Sequence, residues 1–140
     1  MLKRLIFSIV INMAALNSAW ADRVGTVGLS QFPERTGDDI YHAVCISCHM
    51  PEGAGAVGAA SYPFLNSQNV DLVSSAYIAH VVMYGRDGMP ALGGVLDDEQ
   101  IAAITNYIRT SFGNNYQTGA ITPEDVSSMR IPGFIYNDLN

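Results

Sequence analysis

Apolar residues recur at helical spacing in three stretches of this chain, separated by two long segments with no period of either kind. The first stretch is expected to begin near Thr36, where Thr36 and Asp39 have capping-box-like spacing, and to run through Ile40, Tyr41 and Val44 into Cys45. The second starts at Ser74 or Ser75, carries Tyr77, Ile78, Val81 and Val82, and should stop at Gly85, a residue suited to the position after a helix. The third is the clearest. Asp97 as N-cap with Gln100 three residues on opens it, Ile101, Ile104, Tyr107 and Ile108 follow, and Gly113 is expected to close it. Farther on, Thr122 followed by Pro123 predicts a short capped helix. No segment alternates as a strand would, so the predicted class is all-α.

The aperiodic segments, Met50 to Val73 and Arg86 to Leu96, are rich in Gly, Ala and Pro. Loops of that length count against an ordinary compact domain unless something else supplies a surface to wrap. Cys45-Ile46-Ser47-Cys48-His49, at the end of the first helix, names that surface, because Cys-x-x-Cys-His is the attachment signature of c-type haem. Two thiols can add across the porphyrin vinyl groups. On a helix, Cys45 and Cys48 are related by i,i+3 and Cys45 and His49 by i,i+4, so the three side chains share a face. His49 can then give one ring nitrogen to iron while the other needs a hydrogen-bond acceptor to fix the tautomer. The competing uses fit less well. A structural zinc site wants four ligands, and beyond these residues the chain has only His42 and His80 and no further cysteine. A thioredoxin-like pair would follow a strand, and a disulfide across two residues would be strained. One covalent haem c with its iron is the expected cofactor.

A second axial ligand must come from across the ring and hence from far along the sequence. Met89 in Gly88-Met89-Pro90 fits best, being a soft thioether on a loop with a fixed-φ proline and glycines that allow close approach. Met83 reads as core filling, Met50 is tied to His49, and Met129 lies in the tail. His80 remains the rival, and would give a lower-potential bis-histidine haem. Arg86, beside the Met89 loop, is a candidate partner for a propionate or simply an exposed arginine.

Lys3-Arg4, the mostly apolar run Leu5 to Leu16 and Ala19-Trp20-Ala21 together have the form of a secretory signal peptide. The run falls short of the roughly 18 residues of a membrane span. The expected organisation is a signal peptide over 1–21, an N-terminal arm over 22–36, a haem domain over 37–113 and an extension over 114–140, with a periplasmic location and no membrane span after cleavage. Cleavage after Ala21 would leave five arginines and no lysine against 13 acids. Such a surface disfavours nucleic acid and anionic lipid and favours a basic partner, or else it merely keeps a small exported protein soluble.

With these residues identified, the chain resembles the class I, mitochondrial-like single-haem cytochromes c of bacteria over about residues 37 to 113. The matching motifs are Cys45 to His49, Tyr84-Gly85-Arg86-Asp87-Gly88-Met89-Pro90, and Leu96 to Ile101 leading into Asn106-Tyr107-Ile108-Arg109. The resemblance implies a class I cytochrome c fold, three main helices and long loops wrapped around one covalent haem. Cys45 and Cys48 would be its thioether attachments, His49 its proximal and Met89 its distal ligand. It further implies that Gly37 and Tyr41 meet the last helix at Tyr107, and that the Pro63 carbonyl accepts the hydrogen bond of His49. More narrowly, the chain is similar to the cytochrome subunits of alcohol dehydrogenases and of flavoprotein hydroxylases of the eugenol and p-cresol hydroxylase type. The implied role is that of an electron carrier, not an enzyme. Its partners would be a flavin- or quinone-dependent dehydrogenase or hydroxylase subunit and a terminal acceptor. A haem enzyme or gas sensor with an open iron position is the alternative. The extension is expected either to meet the partner through Tyr116, Ile121 and Phe134-Ile135-Tyr136 or to brace the haem domain.

Overall fold

The computed structural model describes residues 32–58 and 61–136; the expected signal peptide and most of the N-terminal arm lie outside them. Among the described residues, five short or medium helices surround one core. They are α1 (Gly37–Ile40), α2 (Ile46–His49), α3 (Ser75–Tyr84), α4 (Asp98–Thr110) and α5 (Pro123–Met129), with a π-helical turn, Tyr41–Cys45, joining α1 to α2. The first predicted helix thus exists but is wound wider in its middle, immediately before the cysteine motif. Thr36 caps α1 by accepting from the Asp39 amide at 3.1 Å.

α4 is the central element and packs against α1, α3 and α5. Its N-terminus is closed by the reciprocal capping box of Asp97 and Gln100, at 2.9 Å in both directions. Ile101, Ile104 and Ile108 form its buried stripe and meet Ile40, Ile78 and Met83 in the core. α1 crosses it at Gly37, where a side chain would have no room: a Cβ there would lie 2.3 Å from Tyr107 Cβ and 2.5 Å from the Ala103 carbonyl oxygen. Tyr107 closes the crossing by donating to Asp38 Oδ1 at 2.7 Å. Tyr41 sits beside it, 1% exposed, with its ring 4.8 Å from Phe112.

Two expectations need correction. α4 ends at Thr110 rather than near Gly113, because Ser111 turns extended, with φ −111° and ψ 178°. The Asn114 side chain then donates to the freed Ile108 carbonyl at 2.7 Å, satisfying a group that continued helix would have used. The loop expected to lack strands contains a two-residue antiparallel pair, β1 (Ala56–Val57) with β2 (Ser61–Tyr62). Runs of two residues are too short for alternation to register. A 3-10 turn over Val70–Val73, capped by Asn69, leads into α3.

Candidate haem site

The π turn and α2 place Cys45, Cys48 and His49 on consecutive turns of one helical segment, with both thiols free and partly buried. Met50, at φ +62°, ends α2 and starts a return loop. Backbone bonds from Gly55 to the His49 carbonyl (2.9 Å) and from Leu65 to the Gly53 carbonyl (2.7 Å) fold this loop on itself through the β1–β2 pair. The fold brings the Pro63 carbonyl oxygen to 3.0 Å from His49 Nδ1. A carbonyl can only accept, so Nδ1 carries the proton and Nε2 keeps its lone pair. Nε2 has no hydrogen-bond partner among the described residues, and His49 is only 9% exposed.

The thiols are not arranged for disulfide or zinc chemistry. Burial, with the neighbouring Cys48, pushes the Cys45 thiol up to about 12, the reverse of the depressed value that thiol–disulfide exchange requires. Among the described residues no group of three His, Cys, Asp or Glu is placed to hold a metal ion between them. Two thiols and a single metal-ready imidazole suit a cofactor that is attached at its periphery and ligated at its centre. The donor set fits haem c.

Met89 lies on the other long loop. That loop leaves α3 at Gly85, whose φ of +75° and ψ of 172° are accessible only to glycine, and a Cβ there would stand 2.5 Å from the Met89 carbonyl oxygen. Arg86 and Met89 exchange backbone hydrogen bonds at 3.2 and 2.9 Å, making a tight turn with Asp87 at φ +52°. The Met89 side chain is partly buried and packs against the core cluster, whereas Met83 is fully buried within it. Arg86 is exposed. Its guanidinium hydrogen bonds the Tyr77 hydroxyl and stands 3.5 Å from Asp87. His80 is exposed on α3 with its ring 4.8 Å from that of Tyr84. The structure therefore brings His49 and Pro63 into direct contact, and puts Met89 and Arg86 together on a separate loop.

Of the two readings of the extension, its burial favours the brace at most of the named positions. Ile121 is 6% exposed, and Tyr116, Phe134 and Tyr136 pack against the core; only Ile135 of that set, with Ile131, points outward. Three polar residues make long-range contacts that the sequence did not show. Gln100 is fully buried, and its Nε2 donates to the Phe32 and Glu34 carbonyls at 2.7 and 2.8 Å, tying down the N-terminal arm. Arg109, 4% exposed, donates to the carbonyls of Gly119, Thr118 and Val73. Arg130 bridges the extension to the segment after Met89. The signal for the first two was a polar residue at each end of the apolar stripe of α4.

Taken together, the helical core and the Cys-x-x-Cys-His turn with its oriented imidazole define a haem-binding protein of the covalent, c type. The family model described as "Cytochrome C oxidase, cbb3-type, subunit III" matches residues 33–108, more than half of the chain, and the chain belongs to this cytochrome c family. It is 32% identical over 111 residues to the gluconate 2-dehydrogenase cytochrome c subunit of Pantoea cypripedii, covering 69% of this chain and 24% of that protein. It is 35% identical over 112 residues to the fructose dehydrogenase cytochrome subunit of Gluconobacter japonicus, covering 69% and 22%. Cytochrome c-552 of Thermus thermophilus is 30% identical over 112 residues, covering 67% of this chain and 83% of that protein. The chain thus spans about a quarter of the dehydrogenase subunits and most of the small cytochrome. As a member of this family it carries covalently bound haem c with its iron. No helix among the described residues is long and apolar enough to cross a membrane.

Proposed function

We propose that Cys45 and Cys48 are the two thioether attachments, His49 the proximal ligand through Nε2 and Met89 the distal ligand, in a class I arrangement of three main helices with loops wrapped around a single haem. The observation that carries this reading is the 3.0 Å hydrogen bond from His49 Nδ1 to Pro63. It fixes the tautomer a metal ligand needs, and a neutral acceptor, unlike a carboxylate, does not push the imidazole toward imidazolate. Bound haem supplies a one-electron iron couple. The chain contributes the tether, ligand identity and exclusion of water, and the Met89 thioether raises the potential. Arg86 is the weaker propionate candidate, since Tyr77 and Asp87 already occupy its guanidinium.

The carrier is exported, with residues 1–21 as its signal peptide, and passes electrons in the periplasm from a flavin- or quinone-dependent dehydrogenase or hydroxylase to a downstream acceptor. Two dehydrogenase cytochrome subunits among its relatives support the donor class. The acidic balance of −6 for the whole chain supports a basic docking face on a partner. The ligand assignment is tested by treating the ferrous protein with carbon monoxide and by the pyridine haemochrome of Cys45→Ala and Cys48→Ala. Each single variant should retain one vinyl group and show a red-shifted α band, and the parent should not bind carbon monoxide. An unshifted band in either variant, or rapid carbon monoxide binding by the parent, would reject the assignment.

A further inference from the structure

The loop that carries Met89 makes few bonds of its own. Its Arg86–Met89 turn is internal, Arg86 reaches only the Tyr77 hydroxyl outside the loop, Asp87, Gly88 and Pro90 are exposed, and its position is set by the two stems, of which the leaving one is joined to α3 by Leu92 N to Val82 O at 2.9 Å and Gly93 N to Met83 O at 3.0 Å. Both stems are gripped by the last described segment of the chain. On the entering side, the Tyr84 hydroxyl donates to the Met129 carbonyl at 2.8 Å and accepts from the Ile131 amide at 2.9 Å, while its ring lies 4.9 Å from Phe134 and 5.9 Å from Tyr136. On the leaving side, Arg130 donates from one nitrogen to Gly93 O at 2.7 Å and from another to Leu96 O at 3.0 Å. Its Nε is held by Asp98 at 2.5 Å, and the Tyr136 hydroxyl lies 3.0 Å from the first nitrogen. The Tyr136 ring rests on the Gly93 backbone, so closely that a Cβ on Gly93 would fall 2.4 Å from it.

We propose that residues 129–136 form a clamp on the Met89 loop, with Arg130 as the positioning residue that keeps the thioether at the iron. The inference rests on the assignment of Met89 as distal ligand. A planar guanidinium is suited to this task because it can bond the carboxylate and two carbonyls of different segments at once, which an ammonium cannot reproduce. A thioether is a neutral ligand carried on a flexible side chain, so its occupancy of the iron depends on how firmly the backbone beneath it is held. Loosening both stems frees the loop to swing and lets an external ligand take its place.

The test is imidazole binding to the ferric holoprotein, followed by loss of the weak far-red band of methionine-ligated haem. Arg130→Ala should bind imidazole about tenfold more tightly than the parent, as expected from losing the charge-assisted bonds that hold the leaving stem. Arg130→Lys should fall between the two. Gly37→Ala, which forces α1 away from α4 at Tyr107 and Ala103 and touches neither stem, serves as control: its unfolding midpoint should drop while its imidazole affinity stays at the parent value. An unchanged affinity in Arg130→Ala, or an equal gain in Gly37→Ala, would overturn the clamp. Met89→Leu separates the two levels. If it keeps the far-red band, the ligand assignment fails and takes the clamp with it; if it loses the band while Arg130→Ala matches the parent, the clamp alone fails.

Discussion

Replacing Gly37 by alanine sets two opposed effects against each other, and the structure decides which prevails. Within a helix, alanine is favoured over glycine by about 1 kcal/mol. Here the new Cβ would sit 2.3 Å from Tyr107 Cβ and 2.5 Å from Ala103 O, where ordinary contact begins at 3.4 Å. Neither obstacle can rotate away, since one is backbone and the other is a Cβ fixed to it. The two helices must separate by about 1 Å, which strains the Tyr107–Asp38 hydrogen bond and unpacks Tyr41. Overpacking of this kind costs roughly 1–3 kcal/mol. The net expectation is destabilisation by up to about 2 kcal/mol, with the propensity gain offsetting about 1 kcal/mol of the clash. Urea titration followed by circular dichroism should show a lower midpoint at unchanged slope. Tyr107→Ala should not rescue the variant, because the obstructing Cβ remains. A midpoint above that of the parent, as propensity alone would give, would show that α1 and α4 are not in contact at Gly37.

Gln100→Ala should cost about 2–4 kcal/mol, because the Phe32 and Glu34 carbonyls and the Asp97 amide would all lose their partner; chemical denaturation checks this. The Asp97 carboxyl, although raised by its partial burial, is held below the ordinary 3.8 overall by the Gln100 amide and Arg35. A depressed folded-state value gives stability that is present above about pH 4 and lost as pH falls through that lower value, by under about 1 kcal/mol given its exposure. Asp97→Asn should keep the cap and abolish this part of the acid slope in pH-dependent melts. Met89→Leu should remove the far-red ferric band, lower the potential and admit carbon monoxide, whereas Met83→Leu should leave all three unchanged and alter only core stability.

Helix starts were readable from sequence because their signals are local. Thr36, Ser74, Asp97 and Thr122 each accept from the amide three residues on. The end of α4 was not, since it depends on Asn114 reaching back to Ile108 and across to the Leu65 carbonyl, 49 positions away in sequence. The cysteine motif and His49 were legible as a unit, yet the acceptor for His49 was open to sequence only through family resemblance, because a hairpin of two-residue strands delivers Pro63. The contacts of Arg109 and Arg130 were not legible. Their partners are mostly backbone carbonyls of distant segments, which leave no trace in composition or period. The apolar residues of the extension read equally as brace or as docking face, and burial of Ile121 and Val126 decides for the brace at those positions.

The claim on which the account stands is that this one helical turn binds a single haem through two thioethers. Intact-mass spectrometry of the exported protein after acidified-acetone extraction tests it most directly. The expected mass is that of the chain from Asp22 plus one haem, falling to the haem-free mass when Cys45 and Cys48 are both replaced by alanine. A haem-free mass for the parent after extraction, with the pigment in the acetone phase, would contradict it.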